Sequence, residues 1–232
     1  MNQHEELAAI RERYQRRTPL PASRYSRFSA DVLFSVQQRQ YATVKLLAAN
    51  DIQSLQDLDI IEIGSGGGGN LLELLLFGAT PERLVGNELI PERLQQAQSV
   101  LPATVRLLAG NAAELSIAES SFDIVYQSTV FSSILDDTLQ HNIAAAMWKW
   151  VRPGGGILWY DFTFNNPRNP DVRGVPLRRV RELFPQARIT TRRVTLAPPL
   201  ARAVVRVHPA LYGLFNSVPW LRTHILCWIE KT

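Results

Sequence analysis

A run of glycines between an apolar strand and an apolar helix constrains this chain more than any other feature of its sequence. Residues 59–75 are DIIEIGSGGGGNLLELL, with glycine at 64 and at 66–69. The β-branched segment before the glycines predicts a buried strand, and the leucines after Asn70 predict the start of a helix. Glycine at such a corner permits positive φ and close approach of a ligand to the backbone, and a helix N-terminus supplies unpaired N–H donors. We therefore expect a nucleotide-type site here, with the kind of nucleotide still open.

The spacing of the glycines excludes one class of nucleotide site and leaves two. Residues 64–69 satisfy the GxGxxG of dinucleotide folds and equally the looser GxGxG of a methyl-donor site. No Gly-Lys-Ser/Thr follows, which excludes a P-loop. Glu62 favours the methyl donor, because a carboxylate inside a buried strand needs a cationic or donor partner. Glu88 ends the next predicted strand and suits both kinds of site, since a carboxylate accepts hydrogen bonds from ribose hydroxyls.

The composition is that of a globular protein in a reducing compartment. The chain has 232 residues, of which 46% are hydrophobic and 20% charged, and a single cysteine, Cys227. We therefore expect no disulfide and no metal site. No apolar run reaches the roughly 18 residues of a membrane span, and the first residues lack the apolar core of a secretion signal, so we predict a cytoplasmic protein. Arginines are concentrated from 168 to 206, which is typical of an anionic partner or of solvated surface.

Strands and helices alternate along most of the chain. Apolar strands are predicted at 59–63, 83–88, 104–109, 122–127 and 155–162, and helices at 69–77, 91–99, 137–151 and 176–183. This alternation predicts an α/β fold with a Rossmann-like, doubly wound, seven-stranded sheet that is mostly parallel. Two further strands, in ARITTRRVTL and HILCWIEK, follow each other without a helical crossover. They are expected to form a hairpin that adds one antiparallel strand near the C-terminus, Ile225–Ile229.

Two segments stand apart from this alternation. Residues 1–50 are predicted to form an N-terminal helical cap on a domain at 51–232, and we expect Tyr25 or Phe28 to cover the bound nucleotide. Residues 197–223 form an insert between the last two strands that mixes prolines, large apolar residues and arginines. Such an insert suits a lid over a substrate or an interfacial anchor, and plain packing on the sheet edge is the alternative.

The order of the sequence blocks resembles that of the class I S-adenosylmethionine-dependent methyltransferases. The resemblance covers about residues 58–162 and rests on Glu-Ile-Gly-Ser-Gly at 62–66, Ser-Phe-Asp-Ile-Val at 121–125 and Arg-Pro-Gly-Gly-Gly at 152–156. It implies that residues 51–232 are a methyltransferase domain with S-adenosylmethionine as the cofactor. The cofactor contacts implied by the resemblance are Glu62, Gly64, Ser65, Gly66, Gly68, Glu88, Leu89, Asn111, Ala112, Gln127 and Tyr25.

The resemblance also implies roles for individual residues. Glu62 would anchor the amino-acid end of the cofactor, Glu88 would hold the ribose, and the backbone N–H of Ala112 would meet the adenine ring. Asn111 departs from the aspartate that is usual in the family. Its amide oxygen still accepts a hydrogen bond from the adenine amino group, although asparagine is also a common turn former.

Catalytic and substrate residues are expected beyond the carboxyl ends of the strands, where open α/β sheets bind their ligands. Asp161 interrupts the run LWYDFTF and is a candidate general base, with capping of the following turn as the alternative. His208 in the insert is the second candidate catalytic residue. Candidate substrate contacts are Ser128, Tyr160, Arg168 and Arg173, and arginine suits a phosphate or carboxylate.

The acceptor is predicted from the residues at the end of the fourth strand. Residues 126–129 are Tyr-Gln-Ser-Thr, whereas the family's amino-methylating members carry Asn-Pro-Pro-Tyr or Asp-Pro-Pro-Tyr there. This difference favours an oxygen or carbon acceptor. Together with the arginines from 168 to 206 and the apolar-aromatic insert, it predicts a hydroxyl of a sugar, glycan or lipid-linked acceptor, with peripheral contact at the inner face of the membrane. A weaker resemblance, in WYDFTFNNPRNPDVRGV and TLAPPLAR, is to bacterial methyltransferases of surface-polysaccharide assembly. The alternatives are a natural-product or tRNA/rRNA methyltransferase, a nicotinamide-dependent oxidoreductase and an inactive binding module; no RNA-binding pattern is found.

Overall fold

One seven-stranded sheet organises the parts of the chain that the computed structural model describes, residues 3–17, 26–166 and 169–232. The order of strands across the sheet is β3–β2–β1–β4–β5–β7–β6. Their bounds are β1 Ile60–Ile63, β2 Leu84–Glu88, β3 Arg106–Ala109, β4 Phe122–Ser128, β5 Val151–Phe162, β6 Arg188–Leu196 and β7 Arg222–Glu230. The chain order reverses between β1 and β4, so the cleft of a doubly wound fold lies beyond the carboxyl ends of these two strands.

Helices cover both faces of the sheet, as the alternating pattern predicted. Their bounds are α1 Gln3–Arg17, α2 Ala30–Ala48, α3 Gly69–Leu76, α4 Pro91–Val100, α5 Asp137–Trp150, α6 Leu177–Leu183, α7 Pro198–Val207 and α8 Leu211–Asn216. Buried side chains of α1, α5 and α6 form one core with the sheet, and those of α2, α3 and α4 form a second core on the opposite face. Because β1 is buried on both faces, it can be almost wholly apolar.

The antiparallel strand is β7, which lies between β5 and β6. It pairs antiparallel with both neighbours, so two of the six pairings are antiparallel and the sheet is mixed. The predicted strand Ile225–Ile229 is thus the centre of a longer strand with two antiparallel contacts. Since β5 and β6 both run opposite to β7, they are parallel to each other. The carboxyl end of β6 therefore lies at the same edge of the sheet as the ends of β1, β4 and β5.

Strand β5 begins earlier than the sequence indicated. The sequence predicted a helix to residue 151 and a strand at 155–162, but β5 starts at Val151 and includes the Pro-Gly-Gly-Gly segment at 153–156. Phe122 pairs with Val151 and Ile124 with Gly156, so the register shifts between these two pairs. The backbones pack closely at this irregularity, and a Cβ on Gly155 would lie 2.5 Å from the carbonyl oxygen of Asp123. The glycines therefore allow a bulge within the strand rather than ending it.

The residues between β6 and β7 fold into α7, α8 and a 3-10 turn at Pro219–Leu221. Their inner side chains form a third cluster around Leu196, Ala201, Val204 and Tyr212. This cluster packs on the N-terminal part of α2, where the rings of Phe34 and Tyr212 lie 5.4 Å apart. Within the described ranges, no helix is long and apolar enough to cross a membrane.

Candidate active site

A cleft opens beyond the carboxyl ends of β1, β2 and β4, between the sheet and helix α1. Its cavity has a volume of about 100 Å³. Of the predicted cofactor residues, Gly64, Glu88, Leu89, Asn111 and Ala112 line it. Ser128, a predicted substrate contact, lies on its wall at the end of β4. Tyr25 and Arg168 fall outside the described residues.

The glycine turn has a backbone that side chains would disrupt. Gly64 has φ of +63°, and a Cβ there would lie 2.5 Å from Cγ2 of Val130 on the facing wall of the cleft. Gly66 has φ of +57°, and its Cβ would lie 2.4 Å from the Arg93 guanidinium. Gly68, with φ of +84°, is the N-cap residue that immediately precedes helix α3. Both the conformation and the space at Gly64 therefore require glycine, which leaves bare backbone facing the cleft.

Glu88 connects the glycine turn to the end of β2. One carboxylate oxygen accepts from the Gly66 N–H at 2.7 Å, and the other accepts from the Ile90 N–H at 2.9 Å. Arg93 approaches the same carboxylate to 4.0 Å. Each carboxylate oxygen has a second lone pair, so Glu88 can hold a pair of hydroxyls at the wall of the cleft without giving up these bonds.

Glu62 is fully buried in β1 and only half satisfied. One carboxylate oxygen accepts from the Asn70 amide at 2.6 Å, while the other has no hydrogen-bond partner within the described part of the chain. Burial raises the pKa of Glu62 to about 8, although the hydrogen bond from Asn70 and the nearby Arg39 cation oppose the shift. Ser65 has a buried hydroxyl that likewise lacks a partner among these residues. Two unpaired polar groups beside a bare glycine turn fit a ligand that carries a cationic amino group.

Asn111 is committed to a turn. Its side-chain oxygen accepts from the Ala113 N–H at 3.1 Å and its amide donates to Glu114 at 3.0 Å. These bonds cap the 3-10 turn Ala112–Glu114, which was the alternative interpretation of this residue. Gln127 is also turned inward, because it donates to the Tyr160 carbonyl and accepts from the Val130 N–H. Gln127 does not line the cleft, whereas Ala112 does.

Helix α1 forms the outer wall of the cleft through Leu7, Ile10 and Tyr14. Within the helix Arg13 donates to Glu6 at 2.6 Å, and Arg13 attaches the helix to the rest of the protein by donating to the Ser133 carbonyl at 3.2 Å. The Leu135 N–H also donates to Glu6, at 2.8 Å. Helical periodicity predicted a helix in this region, but only the folded chain shows which partners it meets.

Sequence reasoning missed Arg93 and Tyr14. The Arg93 guanidinium lies over the Tyr14 ring, 5.0 Å from its centroid, and both side chains line the cleft near Glu88. The two residues are far apart in sequence and belong to no motif. Only the docking of α1 against α4 brings them together.

The other candidate residues lie around the end of β5. Asp161 is fully buried, and its two oxygens accept from the Ser132 and Phe162 N–H groups at 3.1 and 3.0 Å. Burial raises its pKa to about 7. The hydroxyl of Tyr160 lies 2.9 Å from that of Thr195, on the face of the sheet that α2 covers. Neither Tyr160 nor Asp161 lines the cleft.

His224, which the sequence did not single out, lies at this position. Its ring stacks on Tyr160 with centroids 5.0 Å apart and an interplanar angle of 10°. Burial and the nearby Arg39 cation lower its pKa to about 4, so its imidazole is neutral. It is half-buried and pairs with Phe162, directly before the buried part of β7 and at the carboxyl edge of β5. A histidine within a strand resembles any core position, so no sequence signal distinguishes it.

Two predicted residues lie away from the cleft. His208 is exposed at the end of α7, where its Nδ1 accepts from the Ala210 N–H. Arg173 pairs with Asp137 at the start of α5, and its backbone N–H donates to the Ser132 carbonyl. Among the described residues, no group of three or more His, Cys, Asp or Glu side chains is placed to hold a metal ion.

A family model described as "Methyltransferase domain" matches residues 60–155, which run from β1 to β5 and contain the glycine turn, Glu62 and Glu88. The match, on this fold, confirms the predictions that the protein is a methyltransferase and that its cofactor is S-adenosylmethionine. Among curated proteins, none matches the chain.

Solved structures share the fold at low sequence identity. A 1,6-didemethyltoxoflavin-N1-methyltransferase from Burkholderia thailandensis, with bound 1,6-didemethyltoxoflavin and S-adenosylhomocysteine, is 17% identical with a TM-score of 0.65, and covers 100% of this chain and 92% of its own. A SAM-dependent methyltransferase from Archaeoglobus fulgidus is 13% identical with a TM-score of 0.59, covering 85% and 98%. Another, from Mesorhizobium loti, is 14% identical with a TM-score of 0.58, covering 82% and 98%.

Proposed function

We propose that this methyltransferase methylates a hydroxyl group of a sugar, glycan or lipid-linked acceptor. The proposal is carried by the neutral side chains of Tyr160, Thr195 and His224 at the carboxyl edge of the sheet, beside the Arg39 guanidinium, which lies 5.3 Å from the Tyr160 ring centroid. Burial raises the pKa of Tyr160 to about 12, so its phenol is protonated, and the His224 imidazole is neutral. Groups that donate and accept without carrying a charge suit a polyhydroxylated acceptor.

We assign the cofactor to the cleft and the glycine turn. Glu62 and Ser65 hold the amino-acid end with their unpaired oxygens, Glu88 holds the ribose hydroxyls, and the Ala112 N–H meets the adenine. S-adenosylmethionine supplies an electrophilic methyl group when bound, so no residue needs to activate the donor. Helix α1 acts as a cap, because it closes the outer wall of the cleft.

The acceptor side must align a hydroxyl and receive its proton. We assign the alignment to Tyr160 and the hydrogen bond from the acceptor hydroxyl to the neutral His224. Asp161 stays a candidate base because its pKa is raised to about 7, although both of its oxygens already accept backbone N–H groups. Asp161 thus also supports the loop after β4, and a stability measurement must accompany any test of its catalytic role.

Transfer of a labelled methyl group to an acceptor fraction tests the proposal. We expect label in a glycolipid extract, and not in bulk tRNA or a panel of small phenols. Tyr160→Phe should lower kcat about tenfold, the equivalent of one hydrogen bond, and His224→Asn about a hundredfold if it receives the proton. His208→Asn is the matched control and should leave kcat unchanged. Label in tRNA and not in the glycolipid fraction would refute the proposal.

Calorimetry tests the cofactor assignment separately from the acceptor. S-adenosylhomocysteine should bind and NADH should not. Glu88→Ala should weaken S-adenosylhomocysteine by about 1.5–3 kcal/mol, the usual value for a hydrogen bond to a charged group. Glu92→Ala is the control, because this side chain is exposed on α4. Equal affinities of the two variants would remove Glu88 from the site.

A small heteroaromatic acceptor is the second candidate. The Burkholderia methyltransferase with bound 1,6-didemethyltoxoflavin matches the fold over the whole of this chain. Labelling in the small-molecule panel alone would favour this candidate over the glycan.

A further inference from the structure

We propose that the insert between β6 and β7, with helices α7 and α8, docks this protein on an anionic phospholipid bilayer. The inference concerns where the protein works and is independent of which atom it methylates. It rests on the apolar groups, the charge and the position of the insert.

The insert buries one side and exposes large apolar groups on the other. Ala201, Val204 and Tyr212 are buried against α2 and the end of β6. Within the stretch 207–220, four large apolar side chains are nevertheless exposed: Val207 (78%), Leu214 (63%), Val218 (37%) and Trp220 (84%). A tryptophan and aliphatic side chains left in water on a folded segment are typical of a surface that another phase or molecule covers.

The charge of the surrounding segment has one sign. Residues 183–229 contain six arginines and no aspartate or glutamate. Arg188 pairs with Glu230 and Arg222 donates to backbone carbonyls, so these two are satisfied internally. The other four, within the described structure, have no carboxylate partner: Arg192, Arg193, Arg202 and Arg206. Unneutralised arginines beside exposed apolar groups complement the anionic headgroups and acyl boundary of a membrane surface.

Two other occupants fit these features less well. A second copy of the chain would bring the same arginines face to face around a twofold axis, and like charges at an interface are unfavourable. A single-stranded nucleic acid is bound by successive aromatic side chains, whereas Trp220 is the one exposed aromatic residue of the insert. An anionic bilayer can contact the tryptophan and the aliphatic groups through its acyl boundary and the arginines through its headgroups.

The insert lies close to the edge of the sheet at which the strands of the candidate site end. The Ala197 N–H donates to the Leu221 carbonyl at 2.9 Å, which closes the insert at its base. Its base lies at the carboxyl end of β6 and therefore at the edge where β1, β4 and β5 end. Docking through the insert would place this edge next to the bilayer, where a lipid-anchored substrate would be within reach.

Vesicle flotation of the full chain tests the proposal. The protein should float with phosphatidylcholine–phosphatidylglycerol vesicles, not with pure phosphatidylcholine, and high salt should weaken binding. Arg202→Gln with Arg206→Gln should reduce the partition coefficient about 25-fold, or about fivefold for each arginine. Leu214→Ser with Trp220→Ser should reduce it about tenfold or more. All four side chains are at least partly exposed, and retention of S-adenosylhomocysteine binding verifies folding.

Matched controls lie elsewhere on the surface. Arg106→Gln is on β3, at the opposite edge of the sheet, and Leu76→Ser replaces an exposed leucine at the end of α3. Both should float like the unchanged protein. Fluorescence should shift to the blue with anionic vesicles, and Leu214→Ser with Trp220→Ser should abolish the shift, since Trp150, Trp159 and Trp228 are already buried and Trp148 is half-buried on α5.

The following results would overturn the proposal. One is the absence of flotation with anionic vesicles. Another is an equal loss of vesicle binding in the control variants and the insert variants. A further one is a dimer in solution that dissociates when Leu214→Ser and Trp220→Ser are combined. Tighter binding of the arginine-dependent surface to RNA than to vesicles would also overturn it. Methyl transfer to a detergent-solubilised acceptor, which needs no bilayer, separates failure of this proposal from failure of the proposed function.

Discussion

Replacement of Glu62 by glutamine should stabilise the cofactor-free protein and weaken its hold on the cofactor. The Glu62 carboxyl is fully buried, with one oxygen bonded to Asn70 and the other without a described partner. Burial raises its pKa from the ordinary 4.5 to about 8. Between these pH values the native state keeps a proton that the unfolded state has lost, so the free energy of unfolding falls as pH rises. The slope is about 1.4 kcal/mol per pH unit, and the total loss is about 5 kcal/mol above pH 8.

Glutamine has nearly the same shape and no charge, so the unfolding free energy of the variant should not fall as pH rises. Urea unfolding of both proteins in the absence of cofactor measures it. The difference in unfolding free energy should be near zero at about pH 4.5 and should grow in favour of Glu62→Gln to several kcal/mol at about pH 9. Glu92→Gln, on the exposed side of α4, should show no such growth. A difference that does not change with pH would refute the reasoning.

The same substitution should damage cofactor binding. If Glu62 meets the cationic amino group, glutamine should weaken S-adenosylhomocysteine by about 1.5–3 kcal/mol. Binding to the unchanged protein near pH 7 should also release a proton, which calorimetry in buffers of different ionisation enthalpy detects. A more stable variant with unchanged affinity would mean that Glu62 does not hold the amino-acid end.

Three further substitutions test the cleft. Asn111→Asp should destabilise the protein by about 1 kcal/mol, because it loses the hydrogen bond to Glu114 and brings two carboxylates together; unchanged thermal unfolding would contradict this role of Asn111. Gly64→Ala should destabilise the protein by about 1–3 kcal/mol, owing to its positive φ and the contact across the cleft, whereas Gly69→Ala, with open space around it, should be neutral or stabilising in thermal unfolding. Glu6→Gln removes the carboxylate partner of the buried Arg13 and should destabilise the protein by about 3 kcal/mol, seen as faster proteolysis of α1 and weaker cofactor binding, while the exposed Glu12→Gln should behave like the unchanged protein.

Features coded by neighbouring residues were predictable from the sequence. The glycine turn needs positive φ at Gly64, and the short apolar runs on either side fix a strand and a helix whatever the rest of the chain does. The alternation of elements then fixed the number of strands and the class of the sheet. The bulged start of β5 was missed, because glycines that allow a turn also allow two backbones to pack closely.

Features that depend on distant residues were not predictable. Tyr14 and Arg93 meet only because α1 docks on the cleft, and His224 reaches Tyr160 only through the register of β5 with β7. Asp161 was singled out by the sequence, but its contacts were not predictable. Its position in an aromatic run drew attention to it, but the run does not reveal that backbone N–H groups already occupy both oxygens.

The placement of β7 determines the order in which this sheet can assemble. In the described structure β6 pairs with no strand except β7, and β7 also covers the edge of β5. During synthesis β6 is made first, yet it has no edge to join until residues 222–230 have emerged. A protease cut near Arg222 would reverse this final step: it would free β6 and the insert it carries, and would expose the edge of β5. The cofactor half, β1 to β4, would keep all of its own pairings, so such a nicked protein should bind the methyl donor and have no acceptor site.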